Sequence, residues 1–267
     1  VPEGDSIFRL AAKLRPWLVG QVLSRVDFPR KALSPERLQG KRVTAVDAIG
    51  KNLLVRVEDG TTLHVHLRML GRVRLSGVSR PEPRWAAASF VLETEKARVV
   101  GTDVPVVRVL DAAQLRRDPA LRALGPDPLH DGFDVETALA GLRARGALGI
   151  GEALLDQRAI AGLGNVYKSE VLFRRKLDPF TKVRDVDAAT LRALVDDAAA
   201  LLRWNAERQA RGSRERITRT AGPRSPTGQS VYGRARRPCF DCGTPIRAAD
   251  QGGRTTYWCP TCQPARK

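Results

Sequence analysis

The sequence predicts an α+β fold: an N-terminal helix joined to an eight-stranded β-sandwich, then a helical domain, then a zinc ribbon. Three observations carry this expectation. From Gln21 to about Leu110 apolar residues recur with period two between turn residues, and from about Val135 the period becomes helical. All four cysteines stand as Cys239-x2-Cys242 and Cys259-x2-Cys262, with sixteen residues between the pairs. A chain of 267 residues with 42% hydrophobic content is ordinary for a globular protein, and its length suits two domains plus a small module.

In chain order, residues 5–18 carry Ile7, Leu10, Ala11, Leu14, Trp17 and Leu18 at helical spacing, which predicts an amphipathic helix planted on a core. Eight short runs follow, at 22–28, 43–49, 52–57, 62–67, 73–75, 89–93, 98–101 and 106–110, a spacing expected of a two-sheet sandwich or flattened barrel. Gly50-Lys51-Asn52 falls at one turn and Arg68-Met69-Leu70-Gly71 at another. His64 and His66 share one face of a strand; with no third ligand nearby, packing or a phosphate contact is expected of them rather than a metal. Residues 111–133, with Asp118-Pro119 and Gly125-Pro126-Asp127-Pro128, read as a connector with one short helix. Helices are expected at 135–143, 151–160, 166–176 and 188–204, with Asn165 capping the third after the tight turn Gly162-Leu163-Gly164. The boundaries follow: a β-sandwich domain over 1–110, the connector over 111–133, a helical domain over 134–216, a flexible loop over 217–230 and the ribbon over 231–267.

Charge narrows the partner. Lysine and arginine total 46 against 29 acidic residues, a net charge of +17, which favours a polyanion. Residues 203–237 alone hold ten arginines and two glutamates, a composition suited to clamping phosphate. No run of eighteen apolar residues and no basic amphipathic helix points to a membrane. The cysteine spacing fits two knuckles closing on one structural Zn2+, a closed site that stabilises the fold rather than catalysing a reaction.

The first residues add a reactive group. Val1 is what a literal reading of a GUG start gives, and an initiator residue before proline is readily trimmed, so Pro2 is the expected mature N-terminus. An α-amine titrates near ~8 against ~10.4 for lysine, which leaves roughly a tenth of it neutral at pH 7. Its attack on a sugar or carbonyl carbon gives an iminium, and Glu3 beside it offers a carboxyl for proton transfer.

Taken together, Pro2-Glu3-Gly4, Gly50-Lys51, His66-Leu67, the Leu155-Asp156-Gln157 and Gly162-Leu163-Gly164-Asn165 block, Val231-Tyr232-Gly233-Arg234, and Arg254 through Trp-Cys-Pro-Thr-Cys-Gln resemble the formamidopyrimidine-DNA glycosylase and endonuclease VIII family. The likeness runs in order along nearly the whole chain. It implies a bifunctional DNA glycosylase and abasic-site lyase of base-excision repair, with a helix-two-turn-helix in the helical domain and a zinc ribbon. Carried over residue by residue, it makes Pro2 the amine that forms the Schiff base and Glu3 the proton donor that opens the sugar. Lys51 becomes the hairpin lysine that assists phosphate binding and elimination. Asn165, with Lys168 nearby, and Arg254 become DNA-binding groups, the arginine also serving the second elimination. Glu170 becomes a buried carboxylate orienting the reactive end, and Arg68, Met69 and Leu70 the turn that fills the gap left by a flipped nucleotide. The implied partner is double-stranded DNA with a damaged base or abasic site, the expected state a monomer, and the expected location the bacterial cytoplasm at the nucleoid.

Within the family, the guanine-directed branch carries an Asp-Pro-Arg-Arg-Phe run after its sixth or seventh strand. Here Gly101-Thr102-Asp103-Val104-Pro105-Val106-Val107 stands in that place, with no arginine to read an orphaned cytosine. The endonuclease VIII branch, acting on oxidised pyrimidines such as thymine glycol and dihydrouracil by β,δ-elimination, is therefore expected, with the oxidised-purine branch as the alternative. If residue 1 were retained, Pro2 would be an amide nitrogen and the chain a non-catalytic nucleic-acid-binding ribbon protein.

Overall fold

The structure is a computed structural model describing residues 2–78, 87–210 and 228–265. It divides into two compact units, Val1–Arg122 and Ala123–Lys267.

The first unit opens with helix α1 (Gly4–Leu18), whose Ile7, Ala11, Leu14 and Leu18 are buried in the core of the unit. Trp17, expected on the same face, is 45% exposed. At 100° per residue it stands about 90° from the middle of the buried stripe, so it falls on the rim. Among the described residues eight antiparallel strands follow, as expected: β1 (Arg25–Asp27), β2 (Val43–Ile49), β3 (Asn52–Val57), β4 (Thr62–His66), β5 (Arg72–Gly77), β6 (Ala88–Glu93), β7 (Ala97–Thr102) and β8 (Val106–Leu110). They form two four-stranded sheets, ordered β1-β6-β7-β5 and β2-β3-β4-β8. Val46, Leu53, Val55, Leu63 and Val65 of one sheet share a core with Phe90, Leu92 and Val99 of the other, the packing of a sandwich. The first strand is shorter than the expected 22–28 because the chain changes sheets there. Val22 bridges Arg42 beside one sheet, whereas Arg25 already pairs with Glu93 of the other. Two short helices, α2 (Ala112–Arg117) and α3 (Pro119–Arg122), replace the single one expected. Asp118 divides them, accepting from Ala120 and Leu121 N–H while pairing with Arg108 at 2.5 Å.

In the second unit lie α4 (Val135–Arg143), α5 (Ile150–Ala153), α6 (Asn165–Arg174) and α7 (Ala188–Ala210), then the hairpin of β9 (Arg247–Gln251) and β10 (Arg254–Trp258). The helix expected over 151–160 stops at Ala153. Asp156 turns the chain there, its carboxylate accepting the Arg158 N–H at 3.0 Å and its carbonyl the Ala159 N–H at 2.9 Å. Helix α7 runs past 204, with Asn205 and Ala206 buried. One core joins α4, α6 and α7 through Leu139, Leu142, Tyr167, Val171, Leu194, Val195 and Leu202. A smaller one joins Phe173 of α6 to Val231, Cys239, Ile246 and Cys259. Of the arginine-rich stretch and the loop expected over 217–230, residues 211–227 lie outside the described residues. Among those described, no helix is long and apolar enough to cross a membrane.

Candidate active site

The reactive dipeptide is positioned by α1. Pro2 is half-buried, and Glu3, only 2% exposed, stands at the N-cap position. The Glu3 carbonyl accepts the N–H groups of Ser6 (3.0 Å) and Ile7 (3.2 Å), while its carboxylate makes no capping bond. The positive end of the helix dipole lies under the dipeptide. Asp5, buried in the first turn, is paired with Arg9 at 3.2 Å. Four buried side chains of α1 thus fix the backbone that presents Pro2 and Glu3.

Strands β2 and β3, on which α1 packs, meet at the two-residue turn Gly50-Lys51, with Ile49 opposite Asn52 and Gly50 at φ 57. Glycine at positive φ in the first central position is the pattern of a tight hairpin. It puts Lys51, half-buried, at the tip. Asn52 closes the turn, its Nδ2 donating to the Ile49 carbonyl at 3.0 Å, and its Oδ1 meets His64 Nε2 at 2.8 Å. Burial lowers the His64 pKa to about 4, with the Arg108 charge adding to the effect. His66, opposite Asn52, is lowered first by burial and then by the Arg68 and Lys51 charges. His66 Nδ1 accepts the Arg68 N–H at 3.1 Å, which leaves its proton on Nε2 as a donor. The hairpin tip, a neutral imidazole and Arg68 therefore form one anion-seeking edge. His64 is a packed, hydrogen-bonded core histidine.

The turn after β4 carries the chain from one sheet to the other. Arg68 adopts φ 49, Met69 is 52% exposed and Leu70 is 72% exposed. Gly71 donates to the Leu67 carbonyl at 2.9 Å, and a Cβ at Gly71 would lie 2.6 Å from that oxygen, so no larger residue can close the turn. Two large apolar side chains are thus held outward on a braced turn. Between β7 and β8 the connection is only Asp103-Val104-Pro105. Val104 is buried, its N–H donating to Ser89 Oγ at 2.9 Å, and Lys31 Nζ donates to the Pro105 carbonyl at 3.1 Å.

The second unit holds the remaining residues. The turn before α6 is pinned by Gln157, a role sequence reasoning missed. Its Oε1 accepts the Gly162 N–H (3.0 Å) and its Nε2 donates to the Leu163 (2.9 Å) and Leu155 (3.0 Å) carbonyls. The N-cap of α6 is Gly164, not Asn165. Asn165 is the first helical residue, and its Nδ2 donates to the Thr255 carbonyl at 2.7 Å, one residue from Arg254. Arg254, exposed, opens β10 opposite Gln251 across the Gly252-Gly253 turn. Asn165 and Arg254 are therefore brought together. Lys168 needs correcting: it is fully buried, with Nζ donating to Thr256 Oγ1 at 2.6 Å, so it is not a surface group poised for DNA. Glu170 is fully buried too. Its carboxylate accepts the N–H groups of Ser230 (2.7 Å), Val231 (2.9 Å) and Tyr232 (2.8 Å), ordering the segment that enters the ribbon.

The four cysteine sulfurs all lie within 4.8 Å of one another. A tetrahedral ion with metal–sulfur bonds of about 2.3 Å requires sulfurs about 3.8 Å apart. Cys242 and Cys259 stand at 3.5 Å and Cys239 and Cys262 at 4.0 Å, so the set fits a tetrahedral metal. Hydrogen bonds from Thr244 lower the Cys242 thiol to about 6. The ribbon is also fastened to the end of α6, by Lys176 to Asp241 (2.5 Å) and by Gln263 Nε2 to the Leu177 carbonyl (2.8 Å).

Three family models match the chain: the formamidopyrimidine-DNA glycosylase N-terminal domain over residues 1–123, the formamidopyrimidine-DNA glycosylase H2TH domain over 124–216, and the zinc finger found in FPG and IleRS over 238–265. Among curated relatives, a probable endonuclease 8 2 of Streptomyces coelicolor is 43% identical, covering 98% of this chain and 94% of its own. The DNA-(apurinic or apyrimidinic site) lyase Nei2 of Mycolicibacterium smegmatis is 36% identical over 99% of this chain and 100% of its own. A formamidopyrimidine-DNA glycosylase of Thermus thermophilus is 33% identical over 98% of both. The Lactococcus lactis Fpg crystallised with DNA containing N7-benzyl-Fapy-dG superposes with a TM-score of 0.82 at 26% identity, covering 99% of this chain and 100% of its own.

Proposed function

This chain belongs to the formamidopyrimidine-DNA glycosylase and endonuclease VIII family of DNA glycosylases and abasic-site lyases in base-excision repair, and we propose that, with residue 1 removed, it excises oxidised pyrimidines from duplex DNA. The neutral Pro2 amine attacks C1′ of the damaged nucleotide, and the C1′–base bond breaks, the base leaving with the bonding pair and taking up the proton that the Pro2 nitrogen gives up. Glu3 protonates O4′, opening the sugar and leaving an iminium between Pro2 and C1′. Loss of a C2′ proton expels the 3′ phosphate, and a second elimination expels the 5′ phosphate. Water then hydrolyses the iminium and returns Pro2. Lys51, His66 Nε2–H and Arg68 supply positive charge and donors to a backbone phosphate through these steps, while Asn165 and Arg254 hold phosphates from the second unit. Extruding the nucleotide leaves a gap in the stack, which Met69 and Leu70 fill. Cys239, Cys242, Cys259 and Cys262 would hold Zn2+ as a structural staple, since four thiolates would leave it no open position for chemistry.

The observation that carries the substrate class is the Asp103–Pro105 connection. It offers neither a guanidinium to read a cytosine nor an aromatic wedge, which, among the described residues, leaves gap-filling to the turn of Arg68 and the exposed Met69 and Leu70. The name of the 43% identical relative supports the same branch. Single-turnover excision on matched duplexes tests it: thymine glycol and dihydrouracil should be released faster than oxidised guanine opposite cytosine. The reverse order would assign the chain to the oxidised-purine branch.

A further inference from the structure

A fully buried lysine is an expensive way to fasten two elements, because the ammonium loses its water and a methionine would fill the space. Lys168 is fully buried, and its Nζ donates to Thr256 Oγ1, which donates in turn to Gln251 Oε1 at 2.9 Å. Gln251 Nε2 ends the chain of bonds on the Pro179 carbonyl at 2.9 Å. Room for that amide is made by Gly149 and Gly151, where a Cβ would lie 2.6 Å and 2.5 Å from it. Thr256 is itself fully buried and Gln251 nearly so.

The pattern matters because of where these residues stand. Thr256 is two residues from Arg254 on β10, and Gln251 is directly opposite Arg254, so all three side chains share one face of the hairpin. Asn165 and Lys168 are three apart on α6 and share one face of the helix. That face meets the hairpin at consecutive residues, Asn165 at the Thr255 carbonyl and Lys168 at the Thr256 hydroxyl. Two bonds from one helix face to consecutive residues of a strand fix its rotation as well as its position, and the Gln251 bond fixes the partner strand.

We propose that Lys168, through Thr256 and Gln251, is a positioning residue that sets the hairpin tip so that Arg254 and Asn165 grip DNA phosphates as one unit, without touching DNA itself. The proposal rests on the phosphate-binding role assigned to Arg254 above. It separates Lys168 from the arginines and lysines that act on DNA directly, and it makes the clamp a property of buried polar geometry.

A double-mutant cycle on the full-length, metal-loaded protein tests it, using a duplex with a stable abasic-site analogue for binding and a lesion duplex for turnover. Thr256→Val keeps the volume and removes the hydroxyl. It should leave metal content and melting cooperativity intact, weaken duplex binding on the order of tenfold, and raise KM more than it lowers kcat. Thr256→Ser should restore most of the loss. Lys168→Met should match Thr256→Val, and neither should weaken binding further in an Arg254→Ala background, because the residue acts through Arg254. Full additivity with Arg254→Ala, or a salt slope that Lys168→Met lowers by about one unit in that background, would overturn the proposal in favour of an independent DNA contact. Unchanged binding in Thr256→Val beside a weakened Arg254→Ala would overturn it alone. An Arg254→Ala protein that binds like wild type would instead remove the underlying reading of Arg254, and this proposal with it.

Discussion

In the N-terminal unit the working residues are held by apolar burial: Ile7, Ala11, Leu14 and Leu18 fix the helix that presents Pro2 and Glu3, and the hairpin under Lys51 rests on Leu53, Val55 and Val46. In the second unit Asn165 and Arg254 are held by polar bonds, from Lys168 to Thr256, from Gln251 to the Pro179 carbonyl and from three backbone N–H groups to Glu170, and the same unit carries the four clustered thiols. Apolar burial is non-directional and tolerates exchange of like for like, whereas a polar network works only when each member is present. Substitutions at the reactive groups of the first unit should therefore remove chemistry and spare binding. Those in the second should weaken binding and stability and spare the intrinsic reactivity of Pro2.

The largest effect should come from a blocked N-terminus, which removes the nucleophilic amine and with it both base release and covalent trapping. Filter binding of an abasic-analogue duplex should stay near wild type. Loss of binding together with activity would erase the contrast between the units. Glu3→Gln should come next, lowering base excision by about 10²- to 10⁴-fold, the range for losing a general acid. Cleavage of a preformed abasic site should be much less affected, because the abasic sugar already opens to its aldehyde without a proton donor at O4′; equal loss of both would give Glu3 another task.

Metal removal tests the other side. Structural zinc contributes on the order of 10 kcal/mol, which appears as folding free energy. Chelation should therefore unfold the ribbon and abolish tight duplex binding, while circular dichroism continues to report the strands of the first unit. A chelated protein with unaltered affinity would reduce the ribbon to a bystander. Arg254→Ala should weaken binding with unchanged metal content and lower the salt slope by about one unit.

The smallest effect is one of pH. His64 is lowered from 6.5 to about 4 in the fold, so between those values the unfolded chain binds a proton that the folded chain does not. Its contribution to stability is thus fully present above about pH 6.5 and is lost as pH falls toward 4. Acid unfolding of the first unit should be shallower in His64→Gln, as measured by urea midpoints across that range; identical slopes would mean that His64 does not carry the dependence.

The same difference in how the units are held explains what could be read from the sequence. Short β-branched runs between turn residues announce strands, so the eight were legible even where β3, β4, β6 and β7 are buried at nearly every residue, and the spacing of Cys239, Cys242, Cys259 and Cys262 announced the ribbon. Trp17 misled because an aromatic at the rim of a stripe satisfies the same spacing as one at its centre. The helix expected over 151–160 misled because Ala153, Leu154 and Ile160 fall at helical spacing and are all buried, whereas the stop is made by the Asp156 turn that follows Ala153. Lys168 was the least legible. A lysine between Tyr167 and Ser169 reads as a surface cation, and only its partner Thr256, 88 residues away, shows that it is buried and why. Gln251 was hidden for the same reason, its partner Pro179 lying 72 residues away, whereas the bonds of Gln157 are local but non-periodic, to Leu155, Gly162 and Leu163.

The most direct test of the central claim is to reduce the reaction intermediate with borohydride on a thymine glycol duplex, digest the trapped protein and locate the modified peptide by mass spectrometry. The modified peptide should begin at Pro2, with the sugar remnant on its amine. A remnant on Lys51 or any other lysine, or no trapped species from protein whose first residue is Pro2, would contradict it.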